Sequence, residues 1–195
     1  MPRLSPLDPA QMSNSQKFLV DMAKTLGAPD PEIARILVRS EIGRIWLRAW
    51  TETLNGGVLP VPIKEMCRVF ISAKHQCGYC STVRSETAKR HGLNEDKLMS
   101  ALDFENSELL SQREKTALRF AARFLGEDNS LDDDAVYEEL KAQFSEEEII
   151  ELGIVCAETA GMGKFAISIQ VRTWEQACEI QPRLRAQRAS VGLDA

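Results

Sequence analysis

The sequence lacks any apolar run approaching the roughly 20 residues that a membrane-spanning helix needs, so no membrane partner is expected. It has no excess of positive charge either. With a formal net charge of −5 it has no basic surplus for phosphate backbones or anionic lipid, and a nucleic-acid partner is not expected. Aromatic residues make up only 6% and there are two histidines, both in one stretch. No segment alternates apolar and polar residues with β-branched enrichment, which argues against half-buried strands. There is no internal repeat and no low-complexity tract. The opening residues, MPRLSPLDPAQM, contain no apolar core of a secretory signal. A reducing, cytoplasmic setting is therefore the expectation, and there five cysteines do not form a structural disulfide framework.

What the chain does have is helical periodicity almost throughout. Residues 1–14 carry three prolines and read as an extended arm that drapes over a partner or over the body of the fold. Phe18, Leu19, Met22 and Leu26 then recur at helical spacing until Gly27 and Pro29. Asp30-Pro31-Glu32 reads as a helix start, followed by an apolar periodicity to Asn55-Gly56-Gly57 that one helix or two can satisfy, with Gly43 as a possible break. Further helices are expected over 63–74, from about Tyr79 to His91, and from Asn94 to Leu102. Ser111-x-x-Glu114 and Ser145-x-x-Glu148 are capping-box patterns, each opening an apolar-periodic run, the second interrupted by Gly161 and Gly163. Residues 132–144 and 173–188 complete the set. The reading is all-α, with eight to nine helices.

The chemistry is concentrated between Glu65 and Gly92. Cys77-Gly78-Tyr79-Cys80 is a Cys-x-x-Cys pair, with Glu65 upstream, Arg84 downstream and both histidines, His75 and His91, in the same window. Three readings compete. A dithiol redox site is favoured if a helix begins near Tyr79, because the unpaired N–H groups of its first turn stabilise a thiolate at Cys80. Arg84, one helical turn on, would then lower the thiol pKa further. A zinc site could draw on Cys67, His75, Cys77 and Cys80, but structural zinc usually takes two ligand pairs from separate turns. Third, the cysteines can be small buried apolar residues, which is the preferred reading of Cys67, Cys156 and Cys178. A thioredoxin-type site needs a strand before the motif, and the preceding residues look helical. No metal and no cofactor is expected.

Glu65 followed by Cys77-x-x-Cys80, then a helix and Gly92-Leu93, resembles the carboxymuconolactone decarboxylase/AhpD-like alkylhydroperoxidase superfamily. Leu109-Leu110-Ser111-x-x-Glu114-x-x-Ala117-Leu118-x-Phe120-Ala121 and Phe144-Ser145-Glu146-Glu147-Glu148-Ile149-Ile150-Glu151-Leu152 extend the likeness. The resemblance implies an all-helical, oligomeric AhpD-like bundle over residues 40–172. Residues 1–39 would be an N-terminal arm and helices packed on that core, and 173–195 a C-terminal helix and tail. It also implies thiol-dependent reduction of a hydroperoxide, with regeneration by a dithiol reductant or a thioredoxin-like protein. By position Cys80 would attack the peroxide, Cys77, the more exposed thiol, would resolve the sulfenic acid, and Glu65 would relay a proton. The relay histidine of that family stands four residues after the second cysteine, where this chain has Arg84. Two consequences are open at this stage. Either His75 takes over the proton step, or Glu65 and Arg84 pair to tune the thiols and peroxidase activity is weak. Two other functions stay on the table: a non-enzymatic helical assembly with redox-sensing or inert cysteines, and a cofactor-free lactone decarboxylase.

Of the remaining features, Trp46 and Trp50 stand one turn apart as core, interface or wall of a substrate entrance. Gly161-Met162-Gly163-Lys164 looks like helix packing rather than a phosphate loop.

Overall fold

The computed structural model describes residues 2–26, 31–126 and 131–190, the last four by backbone only. Ten α-helices run through the described residues: α1 Asn14–Leu26, α2 Glu32–Leu37, α3 Glu41–Asn55, α4 Val61–Lys74, α5 Glu86–Arg90, α6 Glu95–Ser100, α7 Gln112–Arg123, α8 Asp134–Lys141, α9 Glu146–Ser168 and α10 Trp174–Ile180. No strand occurs among them. No helix there is long and apolar enough to cross a membrane.

Helix α4 is the axis. Every residue from Ile63 to Ala73 is buried, and the helix packs against α9 on one side and α7 on the other. Its apolar residues Met66, Val69, Phe70 and Ile71 join Leu118, Phe120, Leu152 and Cys156 in the main core. Three charged residues, Lys64, Glu65 and Arg68, are buried with them, so each needs a partner inside the fold. Lys64 finds Glu151 on α9 at 2.8 Å and the carbonyls of Thr53 and Gly56. The same Glu151 accepts the backbone N–H groups of Val58 and Leu59, which fixes the connection into α4.

Both expected capping boxes are present, at Ser111/Glu114 and Ser145/Glu148, and a third forms at Thr173/Gln176. The periodicity from 31 to 54 resolves into two helices. They part at Val38–Ser40, with Ser40 accepting from the Gly43 N–H as the cap of α3. Gly43 is not the break. It sits in the first turn of α3, where a Cβ would collide with the Leu37 carbonyl. The start of the preceding helix is Glu32, with Pro31 at the cap; Asp30, Gly27 and Pro29 lie outside the described residues. Helix α9 runs unbroken through Gly161 and Gly163, so the Gly-Met-Gly-Lys segment is helix. The last expected helix ends early because Pro182 cannot donate to the preceding turn, and a 3₁₀ segment Pro182–Ser190 follows.

The N-terminal arm lies on the body of the fold. Arg3 donates its backbone N–H to the Ile169 carbonyl at 2.7 Å and its guanidinium to the Ser168 carbonyl. Leu7 and Arg35 exchange hydrogen bonds, the Leu7 N–H to the Arg35 carbonyl and the Arg35 guanidinium to the Leu7 carbonyl.

Candidate active site

The Cys-x-x-Cys segment is not a helix start. After α4 ends, Gln76 takes a left-handed backbone conformation (φ 55°), and residues 77–85 form a turn and then an extended stretch. Helix α5 begins only at Glu86, capped by Ser85. The expectation of one helix from Tyr79 to His91, with its dipole under Cys80 and Arg84 one turn further on, is therefore corrected.

A buried side chain gives the loop its shape instead. The Arg68 guanidinium donates to the Cys80 carbonyl and the Val83 carbonyl, each at 2.7 Å. It also donates to both oxygens of Glu65, at 2.7 and 2.8 Å. Glu65 accepts a further bond from the Ser85 N–H at 2.9 Å. The two charges are almost fully enclosed, at 2% and 5% exposure, so they depend on each other. Burial works to lower the Arg68 pKa, yet the adjacent Glu65 carboxylate outweighs it and the net shift is upward. Arg68 was not among the residues the sequence singled out. The available signal was a Glu and an Arg three apart within a predominantly apolar helix.

Cys77 and Cys80 are bonded to each other, with Cα atoms 5.3 Å apart. The Cys80 N–H lies 3.2 Å from the Cys77 sulfur. Their surroundings reverse the expected order of exposure: Cys77 is 1% exposed, whereas Cys80 is half-buried. Cys77 is sealed by Ile36 of α2, Tyr79, and Ala166, Ile169 and Val171 at the end of α9 and beyond. Gly78 lies so close to the Arg172 and Thr173 carbonyls that a Cβ there would collide with both. Arg172 also donates to the Thr82 hydroxyl and lies over the Tyr79 ring.

Cys80 lines a cavity of about 100 Å³. Glu65, Arg68 and Tyr79 border it there, and Trp46, Trp50, Leu47 and Met162 supply apolar wall. The two tryptophan rings stack with centroids 5.4 Å apart.

The other two candidates stand elsewhere. Arg84 does not pair with Glu65. It grips Glu95 with two hydrogen bonds, at 2.9 and 3.0 Å, and the Ser81 and Val83 carbonyls. It faces a separate polar cleft behind Glu65. His75 ends α4 and does not line the Cys80 cavity; it is half-buried rather than turned to solvent, with Nδ1 unpaired near Gly163. Burial first, and then Lys164, pushes its pKa below the ordinary imidazole value. Cys67, Cys156 and Cys178 are buried in the core, and among the described residues no three acidic, His or Cys side chains converge on a metal position.

Residues 40–123 match the model of the carboxymuconolactone decarboxylase family. The matched segment spans less than half of the chain. It contains α3 to α7 and both Cys77 and Cys80, whereas the Cys77 seal from α9 and the segment after it lies outside the match. Solved structures share the fold over nearly the whole chain. The apo debrominase Bmp8 aligns with a TM-score of 0.73 at 18% identity, covering 93% of this chain and 97% of its own. A cysteine-to-alanine variant of Bmp8 in complex with 2,3,4-tribromopyrrole aligns at 0.72 and 20% identity, covering 96% of each. An AhpD-core, peroxidase-related protein from Ralstonia eutropha JMP134 aligns at 0.73 and 16%, covering 88% and 92%. A search of curated proteins finds no match.

Proposed function

We propose that this chain is a dithiol oxidoreductase that reduces an organic hydroperoxide at Cys80. The supporting observation is the asymmetry of the pair: Cys80 borders a cavity, while Cys77 is sealed at disulfide distance behind it. In the reduced protein Cys80 gives up its proton, and its thiolate attacks the distal peroxide oxygen. The O–O bond breaks, and the leaving alkoxide takes up one proton to become the alcohol. The Cys77 sulfur then attacks the Cys80 sulfenic acid, expelling water and closing the disulfide. The balance is two thiols plus one hydroperoxide to one disulfide, one alcohol and one water. A dithiol or a thioredoxin-like protein in the reducing cytosol returns the pair to thiols.

In this reading Glu65 anchors Arg68 rather than relaying a proton, because both carboxylate oxygens are already engaged. Arg68 borders the cavity, its charge compensated by Glu65, and serves to fix the Cys80 backbone. The acting unit is a homo-oligomer. Helix α9 buries Leu152, Val155 and Cys156 on one side and leaves Ile150, Ile154 and Phe165 exposed, a face suited to a second copy.

A second reading is reductive dehalogenation, favoured by the stacked Trp46 and Trp50 wall of the cavity and by the likeness to a debrominase over 93% of the chain. Its balance is the same in electrons: an organic halide and two thiols give the hydrogen-substituted product, the disulfide and hydrogen halide. Steady-state consumption of cumene hydroperoxide with dithiothreitol, wild type against Cys80→Ser, tests the first. Release of bromide from a brominated arene under the same conditions tests the second. Peroxide loss equal in both proteins would overturn the peroxidase reading.

A further inference from the structure

Three of the residues lining the Cys80 cavity carry a buried polar atom with no hydrogen-bond partner: Ser72 Oγ on α4, Thr159 Oγ1 on α9 and Asn55 Oδ1 at the end of α3. Ser72 and Thr159 are 1% and 4% exposed, and the Asn55 amide nitrogen is already committed to the Thr51 carbonyl. Native interiors leave few such groups unpaired, and three around one cavity form a pattern. Of the other residues away from Cys80, Thr51 spends its hydroxyl proton on the Leu47 carbonyl, and the remainder of the lining is apolar apart from the indole N–H groups. The Ser72 and Thr159 hydroxyls reach new directions by rotating about a single side-chain bond.

The cavity's size narrows the occupant. At about 100 Å³ it is of the same order as, and about one third smaller than, an apolar cavity of about 150 Å³ known to take up benzene. That is room for one ring, not for a fatty chain. Trp46 and Trp50 add a broad aromatic wall, stacked at an interplanar angle of 17°. Trp46 in turn is held by Glu158 of α9, whose carboxylate accepts from it.

We infer that the cavity selects a compact, flat organic molecule carrying one hydrogen-bonding group, its ring against Trp46 and Trp50 and its polar group satisfied by Ser72 and Thr159. This rests on the reading that Cys80 is the reacting thiol, and it adds the chemical class on which that thiol acts. Long-chain hydroperoxides and hydrogen peroxide are then poor substrates, the first for size and the second for lack of an apolar body.

Binding of inert probes separates this inference from the redox reading. p-Cresol and toluene differ by one hydroxyl, and neither reacts with a thiol, so calorimetric titration of the wild-type chain needs no turnover. The expected result is that p-cresol binds at least about tenfold more tightly than toluene, and than the linear alcohol 1-heptanol. Ser72→Ala and Thr159→Val should each shrink the cresol-to-toluene ratio to about threefold or less while toluene affinity holds, and Thr159→Ser should restore it. Equal affinity for the three probes in the wild type would overturn the inference, and that comparison requires no variant to fold. So would a ratio untouched by both substitutions in variants that keep the wild-type circular dichroism. Loss of peroxide turnover in Cys80→Ser, measured separately, reports only on the redox chemistry.

Discussion

Arg68 holds Cys80 through the backbone rather than through the thiol: its guanidinium donates to the Cys80 carbonyl at 2.7 Å, twelve residues along the chain. The loop from Cys77 to Ser85 has no helix of its own, so this buried contact does the ordering that a helix start was expected to do. Removing the guanidinium should therefore harm both stability and turnover. Arg68→Met leaves Glu65 enclosed without its counter-charge, a loss of about 3–5 kcal/mol, measurable by urea unfolding. The pair Glu65→Gln/Arg68→Met should recover part of that loss, giving a clear coupling energy in a double-mutant cycle. Additive effects would show that the two side chains do not act as one unit.

Arg84 occupies the sequence position of the family's relay histidine but turns to Glu95, away from the cavity. Arg84→His should accordingly bring no gain in hydroperoxide turnover. A rise of about tenfold or more would place position 84 in the proton path after all.

His75 makes a different prediction. Burial and Lys164 hold its folded-state pKa below the unfolded value of 6.5. The unfolded chain then binds more protons as pH falls through that window, so stability is full above pH 6.5 and is lost as pH drops through the lower folded value. Thermal melts of wild type and His75→Gln should diverge on acidification, with the variant losing less. Turnover at neutral pH should match in the two proteins, because the ring is outside the cavity.

Glu158 runs the opposite way. Burial raises its pKa above the ordinary carboxylate value, against the hydrogen bonds from Thr53 and Trp46. Its contribution is full at acid pH and falls away as pH rises through the raised value. Glu158→Gln should then melt higher than wild type at neutral pH and no higher near pH 4, where the carboxyl is already protonated. A uniform difference at both pH values would contradict the assignment.

The burial pattern also fixes an order of alkylation. In the reduced, folded protein iodoacetamide should label Cys80 first and Cys77 much more slowly. Cys67, Cys156 and Cys178 should stay unlabelled until denaturant is added. Cys156 is protected twice, since contact with Cys67 and burial both push its thiol pKa up. Peptide mass spectrometry over time gives the order directly, and early labelling of Cys77 would remove the asymmetry on which the proposed roles rest.

The helical framework was legible because its signals are local. Ser111/Glu114 and Ser145/Glu148 write their capping boxes within four residues, and α7 and α9 begin where those boxes stand. The loop from Cys77 to Ser85 was misread for the opposite reason. Its conformation is set by hydrogen bonds from Arg68, between 12 and 15 residues away, and by carbonyls of Arg172 and Thr173 pressed on Gly78. Neither leaves a trace in periodicity. Glu65, Cys77 and Cys80 were found because their spacing is distinctive, and the partner that organises them was not, because one Arg in a helix is unremarkable until its burial is known.

The cover over Cys77 is built from Ile36 near one end of the chain and Ile169 and Val171 near the other, with Arg3 tied to Ile169 across it. During synthesis the two cysteines leave the ribosome long before Ala166, Ile169 and Val171, which complete the cover. At about 5–20 residues per second the interval is several seconds. For that time both thiols are open to any oxidant or thiol present, and the distinction between an accessible and a protected sulfur arises only when the last quarter of the chain docks.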